Sequence, residues 1–157
     1  MPKYKKGIET RRRIIEEVSR LYNEEGLKLT LDEIAGKLGL TKGRITNYFP
    51  KKENLLLAIY KTFDEKADRL YQQYQNEDAL LEFSGMVEYY NEIMDLQYRY
   101  RFAMSYAAVQ PIGEPELQEH IEQRFRINRA NFKKRIAFQV ESGSLKEDLL
   151  KPETFSV

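Results

Sequence analysis

The spacing of apolar residues is the feature that most constrains this chain, because it follows the period of an α-helix nearly throughout. From Asn54 onward, apolar side chains recur at steps of three or four residues, at Leu56, Ile59, Phe63, Ala67, Leu70 and Tyr74. Such a stripe lies along one face of a helix. No segment shows the alternation of apolar and polar residues that is typical of a strand. The sequence therefore predicts an all-α protein.

Capping residues mark where several of the helices begin and end. Gly26 and Gly39 lie just after the expected ends of the first two helices, where glycine readily adopts the left-handed backbone conformation. Thr30 and Glu33 form the capping box of a second helix, and Thr41 can cap a third. Helices are predicted over residues 8–25, 31–38 and 42–49, from Asn54 onward, and over 80–94, 97–109 and 116–142.

The residue inventory argues against several classes of protein. There is no cysteine, which excludes disulfides and thiolate metal sites and suits a reducing cytoplasm. A single histidine, His120, leaves little for a metal site or a catalytic triad, so we expect no metal, no cofactor and no enzyme activity. The N-terminus lacks a secretory signal, and the longest apolar run, residues 55–60, is too short to span a membrane.

Charge is divided unevenly along the chain. Residues 1–60 contain 13 lysines and arginines and 8 acidic residues, a net charge of +5. Residues 61–157 contain 13 and 17 respectively, a net charge of −4, and the two parts sum to the overall +1. A basic first part favours contact with a polyanion, although chance fluctuation in composition would produce the same asymmetry.

The second and third predicted helices are joined by only a few residues, "GLT", which is the layout of a helix-turn-helix. Ala35 is small enough for the two helices to cross closely, and Gly39 tolerates the tight bend. Ile45 provides the apolar anchor of the second helix. This spacing favours DNA binding, although other helical hairpins also match it.

The stretch from about Arg13 to Ala58 resembles the DNA-binding domain of the TetR family of bacterial transcription regulators. The segments that carry the resemblance are "IIEEVSRLYNEEG", "TLDEIAGKLGLTKG" and "NYFPKKENLL". The resemblance implies an N-terminal three-helix helix-turn-helix domain in residues 1–53. It also implies an α-helical ligand-binding and dimerisation bundle in residues 54–157.

A recognition helix places polar side chains at base edges while its ends contact phosphates. Arg44 suits guanine, Asn47 suits adenine or else a phosphate, and Gly43 allows the backbone to approach DNA closely. In the family, the positions of Tyr48 and Lys52 usually bind phosphate. Thr46 replaces a common family tyrosine, so only a contact with a thymine methyl group is expected of it. The expected DNA-binding residues are Thr30, Thr41, Lys42, Gly43, Arg44, Thr46, Asn47, Tyr48 and Lys52.

Each of these assignments has a plainer alternative. Lys42, Lys51 and Lys52 can be ordinary solvated surface charges. Tyr48 can be a core residue, because its ring is apolar and only its tip is polar. The basic segments "KYKK" and "TRRR" can follow phosphates as an arm, or form a disordered tail.

The second half is rich in aromatic residues, which can line a pocket between helices. Its alternative is again plain, because an aromatic residue at helical spacing usually belongs to the core. Asn128 is the best candidate for a polar pocket contact, with a hydrogen bond between helices as the alternative, and His120 is expected to be exposed. The candidate effector-pocket residues are Phe63, Tyr90, Met94, Phe102, Tyr106, Phe125 and Asn128.

The resemblance implies a cytoplasmic, sequence-specific transcriptional regulator that binds a near-palindromic double-stranded DNA operator as a homodimer. It would be a repressor, released by a small and largely apolar effector. The alternative is a helical interaction or adaptor protein whose helix-turn-helix no longer binds DNA. Family members commonly continue with two further helices that form the dimer interface, so either other helices dimerise here or the sequence is truncated.

Overall fold

The computed structural model describes residues 3–76, 80, 82–109 and 115–147, and these residues form helices joined by turns and short loops. In chain order the helices are α1 (Lys3–Glu25), α2 (Leu31–Lys37), α3 (Lys42–Thr46), α4 (Lys52–Asn76), α5 (Phe83–Arg99), α6 (Arg101–Val109) and α7 (Pro115–Glu141). The described part of the chain contains no strand, so the predicted all-α class is confirmed. In this same part, no helix is both long and apolar enough to cross a membrane.

The predicted helix ends near the helix-turn-helix are confirmed. Gly26 follows α1 with a φ of 86°, and Gly39 follows α2 with a φ of 63°, conformations that favour glycine. Thr30 Oγ1 accepts a hydrogen bond from the backbone N–H of Glu33 at 3.2 Å. The carboxylate of Glu33 accepts in return from the backbone N–H of Thr30 at 2.7 Å, which completes the capping box.

Several helix boundaries differ from the sequence prediction, including those of α5, which covers Phe83–Arg99 and not 80–94. Helix α1 begins at Lys3, five residues before the predicted start, and therefore includes the basic segments "KYKK" and "TRRR". Helix α4 begins at Lys52, two residues before the predicted start. Helix α3 has only five residues, although Phe49 still donates from its backbone N–H to the carbonyl of Ile45, at 2.9 Å, and so continues the turn.

One hydrophobic core joins the N-terminal helices to the rest of the protein. Helix α1 contributes Ile14 and Val18, both of which are almost fully buried. The first turns of α4 pack into the same cluster and bury Leu55 and Ile59 completely. Farther along α4, Phe63 belongs to this cluster too, together with residues of α5, α6 and α7. Helix α4 is therefore the element shared by the helix-turn-helix and the C-terminal helices.

A polar contact at the end of α1 reinforces this junction. The side-chain amide of Asn23 donates to the carbonyl of Arg99 at 2.6 Å. Its oxygen accepts from the backbone N–H of Phe102 at 3.1 Å. Arg99 and Phe102 flank the break between α5 and α6 at Tyr100. Asn23 therefore supplies hydrogen bonds to backbone groups that no helix satisfies there.

Helix α7 is less buried than its apolar stripe suggested. Leu117 is buried at its start, but the side chains of Phe125 and Phe132 are 62% and 40% exposed.

The expectation that His120 is exposed was wrong. His120 is half-buried, and its Nε2 lies 2.7 Å from Oδ2 of Asp64 on α4, so it pairs two packed helices. Burial raises the pKa of Asp64, and the nearby Arg124 guanidinium opposes that shift.

We expect Asn23→Ala to lower the free energy of unfolding by about 1–3 kcal/mol, because it removes two hydrogen bonds to backbone groups of the α5–α6 junction and leaves the partly buried N–H of Phe102 without a partner. Urea unfolding would measure the loss. Asn91→Ala is the matched control, because Asn91 is exposed on α5 and its side chain has no recorded hydrogen bond in the described structure. Equal stabilities of the two variants would contradict the role assigned to Asn23.

Candidate nucleic-acid interface

Helix α3 is held in place by one face and exposed on the other. Ile45 and Phe49 are almost completely buried in the core formed with α1 and α2. Thr41 caps the helix and accepts from the backbone N–H of Arg44 at 3.3 Å. The buried anchors and the cap fix the direction of the short helix, so its remaining side chains are presented at a defined orientation.

Lys42, Arg44 and Asn47 are the exposed polar side chains of this segment. Within the described structure, none of the three has a recorded side-chain hydrogen bond or ion pair. All three lie outside the packed interior, which leaves room for another molecule beside them. Their donors are therefore available to an external partner.

Gly43 has no evident internal reason to be a glycine. A Cβ atom built on it would meet nothing within 4 Å, and its φ is not positive. Its neighbour Thr46 is half-buried and donates its hydroxyl to the carbonyl of Gly43 at 3.3 Å. The hydroxyl of Thr46 is thus used inside the helix, whereas the bare Cα of Gly43 faces open space.

The two capping threonines, Thr30 and Thr41, are exposed but already serve the protein. Thr30 Oγ1 donates to the carboxylate of Glu33 at 2.8 Å. Thr41 Oγ1 accepts from the backbone of Arg44. A hydroxyl oxygen has two lone pairs, so each can still take part in a further contact.

Tyr48 and Lys52, the two positions associated with phosphate, are less exposed than Lys42 and Arg44. The ring of Tyr48 is half-buried against the core, and its hydroxyl lies 3.9 Å from where a Cβ of Gly7 would be. Lys52 Nζ donates to the carbonyl of Leu27, and burial lowers the pKa of this ammonium group. The structure therefore gives Lys52 an internal role between the loop after α1 and the start of α4.

The N-terminal turns of α1 bring one further basic residue, Arg11, close to the turn that follows α3. The guanidinium carbon of Arg11 lies 5.1 Å from the ring centroid of Phe49, a cation–π distance. Lys5, Lys6 and Arg12 are exposed on the same helix. The basic composition was visible in the sequence, but its placement was not, because the helical signal begins only at Ile8 and the preceding residues lack an apolar stripe.

A cavity of about 230 Å³ lies between α4, α5 and α7. Three of the predicted effector-pocket residues line it: Phe63, Tyr90 and Asn128. The cavity is more polar than expected, because Arg124 and Arg135 also line it. Neither arginine was singled out from the sequence, where both resemble ordinary charges on a helix surface.

Three other predicted pocket residues, Met94, Phe102 and Phe125, lie elsewhere. Met94 is 56% exposed and lines a shallow groove beside α6. Phe102 packs near Gly26, where a Cβ would lie 3.4 Å from its ring. Phe125 lines a separate shallow groove on α7. The side chain of Tyr106 lies outside the described part of the structure.

Comparisons with known proteins agree with this arrangement. Residues 14–59 match the model of a family described as bacterial regulatory proteins, tetR family. The fold is similar to that of a TetR-family transcriptional regulator from Marinobacter aquaeolei VT8, with a TM-score of 0.74 and 20% sequence identity. That similarity covers 90% of this chain and 70% of the other. No curated protein has a significant match.

We expect Gly43→Ala to raise the free energy of unfolding by up to about 1 kcal/mol, because alanine is the better helix former and nothing obstructs its methyl group. Thermal and urea unfolding would measure the change. Gly39→Ala is the contrasting control and should be destabilising, because its φ of 63° strains any L side chain. A destabilised Gly43→Ala variant would show that the position has an internal role.

Proposed function

We propose that this chain is a transcriptional regulator of the TetR family of bacterial regulatory proteins, and that it binds a specific, near-palindromic DNA operator as a homodimer. It acts as a repressor that a small, largely apolar effector releases from the operator. Residues 1–53 contact DNA in this proposal, and residues 54–157 bind the effector and the second subunit.

The free side chains of α3 carry the DNA-binding part of the proposal. Lys42, Arg44 and Asn47 are exposed together on a helix whose opposite face is anchored by Ile45. The guanidinium fork of Arg44 matches guanine O6 and N7, and the amide of Asn47 matches adenine N6 and N7. Arg44 thus offers two donors and Asn47 one donor and one acceptor, the patterns that guanine and adenine edges require, beside a glycine that permits close approach.

Phosphate contacts complete the proposed interface. Lys42 and the exposed basic residues of α1, Lys5, Lys6 and Arg12, supply positive charge near the recognition helix. Thr30, Thr41 and Tyr48 can contribute their polar atoms at the edges, and the methyl group of Thr46 can contact a thymine methyl group. For Lys52 the internal bond to Leu27 favours an indirect contribution, in which it fixes the start of α4.

Helix α4 is the proposed route from effector to DNA. Phe63 and Ala67 of α4 line the cavity, while Leu55 and Ile59 of the same helix are buried against the helix-turn-helix. Helix α4 has two positions in this proposal, and the ligand fits the cavity in only one of them. Binding of the ligand would therefore increase the population of that position. The separation of the two recognition helices in a dimer would then no longer match half-sites about 34 Å apart.

Exposed apolar side chains support dimerisation through the C-terminal helices. Phe83 and Val87 on α5 and Phe125 and Phe138 on α7 are all well exposed. Clusters of exposed apolar residues on a protein surface commonly mark contact sites. Sedimentation at micromolar concentration would test this part, and a purely monomeric protein would contradict it.

Selection of bound duplexes from random oligonucleotides would test the proposed function most broadly. We expect a near-palindromic consensus, and an affinity that falls steeply as the salt concentration rises, because counterions are released from phosphates. The absence of any DNA retardation at low salt would instead favour the adaptor alternative.

We expect Arg44→Ala to weaken binding to the selected duplex by about 1–3 kcal/mol and to relax base preference at one position in each half-site. Binding to random DNA should change little, because the lost contact reads a base. Retardation assays with both duplexes would measure this. Arg69→Ala is the matched control, because Arg69 is an exposed arginine in the second half of α4. An unchanged preference in Arg44→Ala would contradict the assignment.

A further inference from the structure

Arg135 on α7 lines the cavity, and three tyrosine rings surround its guanidinium group. Its guanidinium carbon lies 5.3–5.5 Å from the ring centroids of three tyrosines, Tyr71, Tyr89 and Tyr90. It donates from NH2 to the hydroxyl of Tyr90 at 2.9 Å. Its Nε atom is buried and has no hydrogen-bond partner. A buried donor without a partner is unfavourable, so this N–H is poised to donate to a ligand atom.

The other cation of the cavity, Arg124, is already neutralised. It forms two hydrogen bonds to the carboxylate of Asp68, at 2.7 and 3.1 Å. Its Nε also lies 3.1 Å from Oδ1 of Asp64. Among the described residues that line the cavity, Asp68 is the only acidic one, and Arg124 holds it. Arg135 is therefore the cavity cation for which the described structure shows no carboxylate partner.

Tyrosine rings cannot replace that partner. They attract the guanidinium through their negative faces, but they carry no formal charge. Tyr89 is buried, and this burial raises the pKa of its hydroxyl, which keeps the ring neutral at physiological pH. The cavity thus combines one unneutralised cation with aromatic walls.

We propose that this cavity binds a small organic acid, with its single carboxylate on Arg135 and its apolar body among the aromatic side chains. The inference rests on the proposed function, because it takes this cavity as the effector site and names the chemical class of the effector. An acid of this kind is still largely apolar, as proposed above for the effector, and it carries one negative charge. A planar guanidinium paired with a carboxylate gives two parallel hydrogen bonds, which orients the ligand as well as holding it.

The rest of the cavity wall fits such a ligand. Phe63, Ala67 and Ile93 provide apolar side chains in its lining. The amides of Asn128 and Asn131 lie on the same helix as Arg135 and can donate to the remaining carboxylate lone pairs. At about 230 Å³ the cavity is smaller than typical drug-sized sites, which favours an acid with one ring or a short acyl chain.

A comparison of acids with their neutral amides would test the charge requirement on the unmodified protein. The probes are benzoate, phenylacetate, hexanoate and octanoate, each paired with the corresponding amide, and binding is measured by calorimetry and thermal shift. We expect at least one acid to bind and to raise the melting temperature, and its amide to bind at least tenfold more weakly. Failure of all four acids to bind, or equal binding of acid and amide, would overturn the inference.

Arg135→Gln should weaken binding of that acid at least tenfold, without a matching loss for its amide. Arg126→Gln is the matched control, because Arg126 is an exposed residue of α7 that does not line the cavity. Circular dichroism would establish that the variants are folded. If Arg135→Gln does not fold, Tyr90→Phe supplies the second variant, because it removes the hydroxyl that positions Arg135 and should weaken acid binding but not amide binding. Undiminished acid binding in the folded variant would overturn the inference.

The two proposals can fail separately. Acid binding is measured without DNA, and DNA retardation is measured without acid. If the protein retards operator DNA but binds no acid, the regulator proposal stands and the assignment of Arg135 fails. If it binds the acid through Arg135 but never retards DNA, the ligand assignment stands and the proposed function fails.

Discussion

Helix α4 is packed into two environments at once, and the rest of the structure depends on this arrangement. Its first turns complete the core of α1, α2 and α3, and Phe63 and Ala67 reach the cavity beside α5 and α7. Protein interiors are close-packed, so a shift at one end of a helix that packs against both sets of neighbours is transmitted to the other end. Asn23 adds a polar tie from the end of α1 to the α5–α6 junction.

The structure also separates groups that maintain the fold from groups that remain available. Around α3, the backbone is satisfied by the caps Thr30 and Thr41 and the apolar contacts are supplied by Ile45 and Phe49. Lys42, Arg44 and Asn47 therefore have no recorded structural task in the described part of the chain. Arg135 shows a similar contrast in the cavity, because its neighbour Arg124 is tied to carboxylates. A buried polar group without a hydrogen-bond partner, or an exposed one without a structural role, is a candidate for binding another molecule.

The sequence predicted local features well, because those features depend on near neighbours. The capping box at Thr30 and Glu33 and the turn at Gly39 involve residues only a few positions apart. The segment that resembles the TetR family is the one that the family model matches. Tertiary pairing was harder to predict. The bond between His120 and Asp64 joins residues 56 positions apart, and Arg135 meets its three tyrosines only through folding. The internal bond of Lys52 was missed for the same reason.

A structure of this protein bound to a duplex selected from random oligonucleotides would test the central claim most directly. The decisive measurement is the distance from the Arg44 guanidinium to the nearest base edge in the major groove. We predict hydrogen bonds of about 2.7–3.2 Å to O6 or N7 of a guanine, with Asn47 beside the same groove. A duplex bound to another face, with Arg44 and Asn47 left in solvent, would contradict the account.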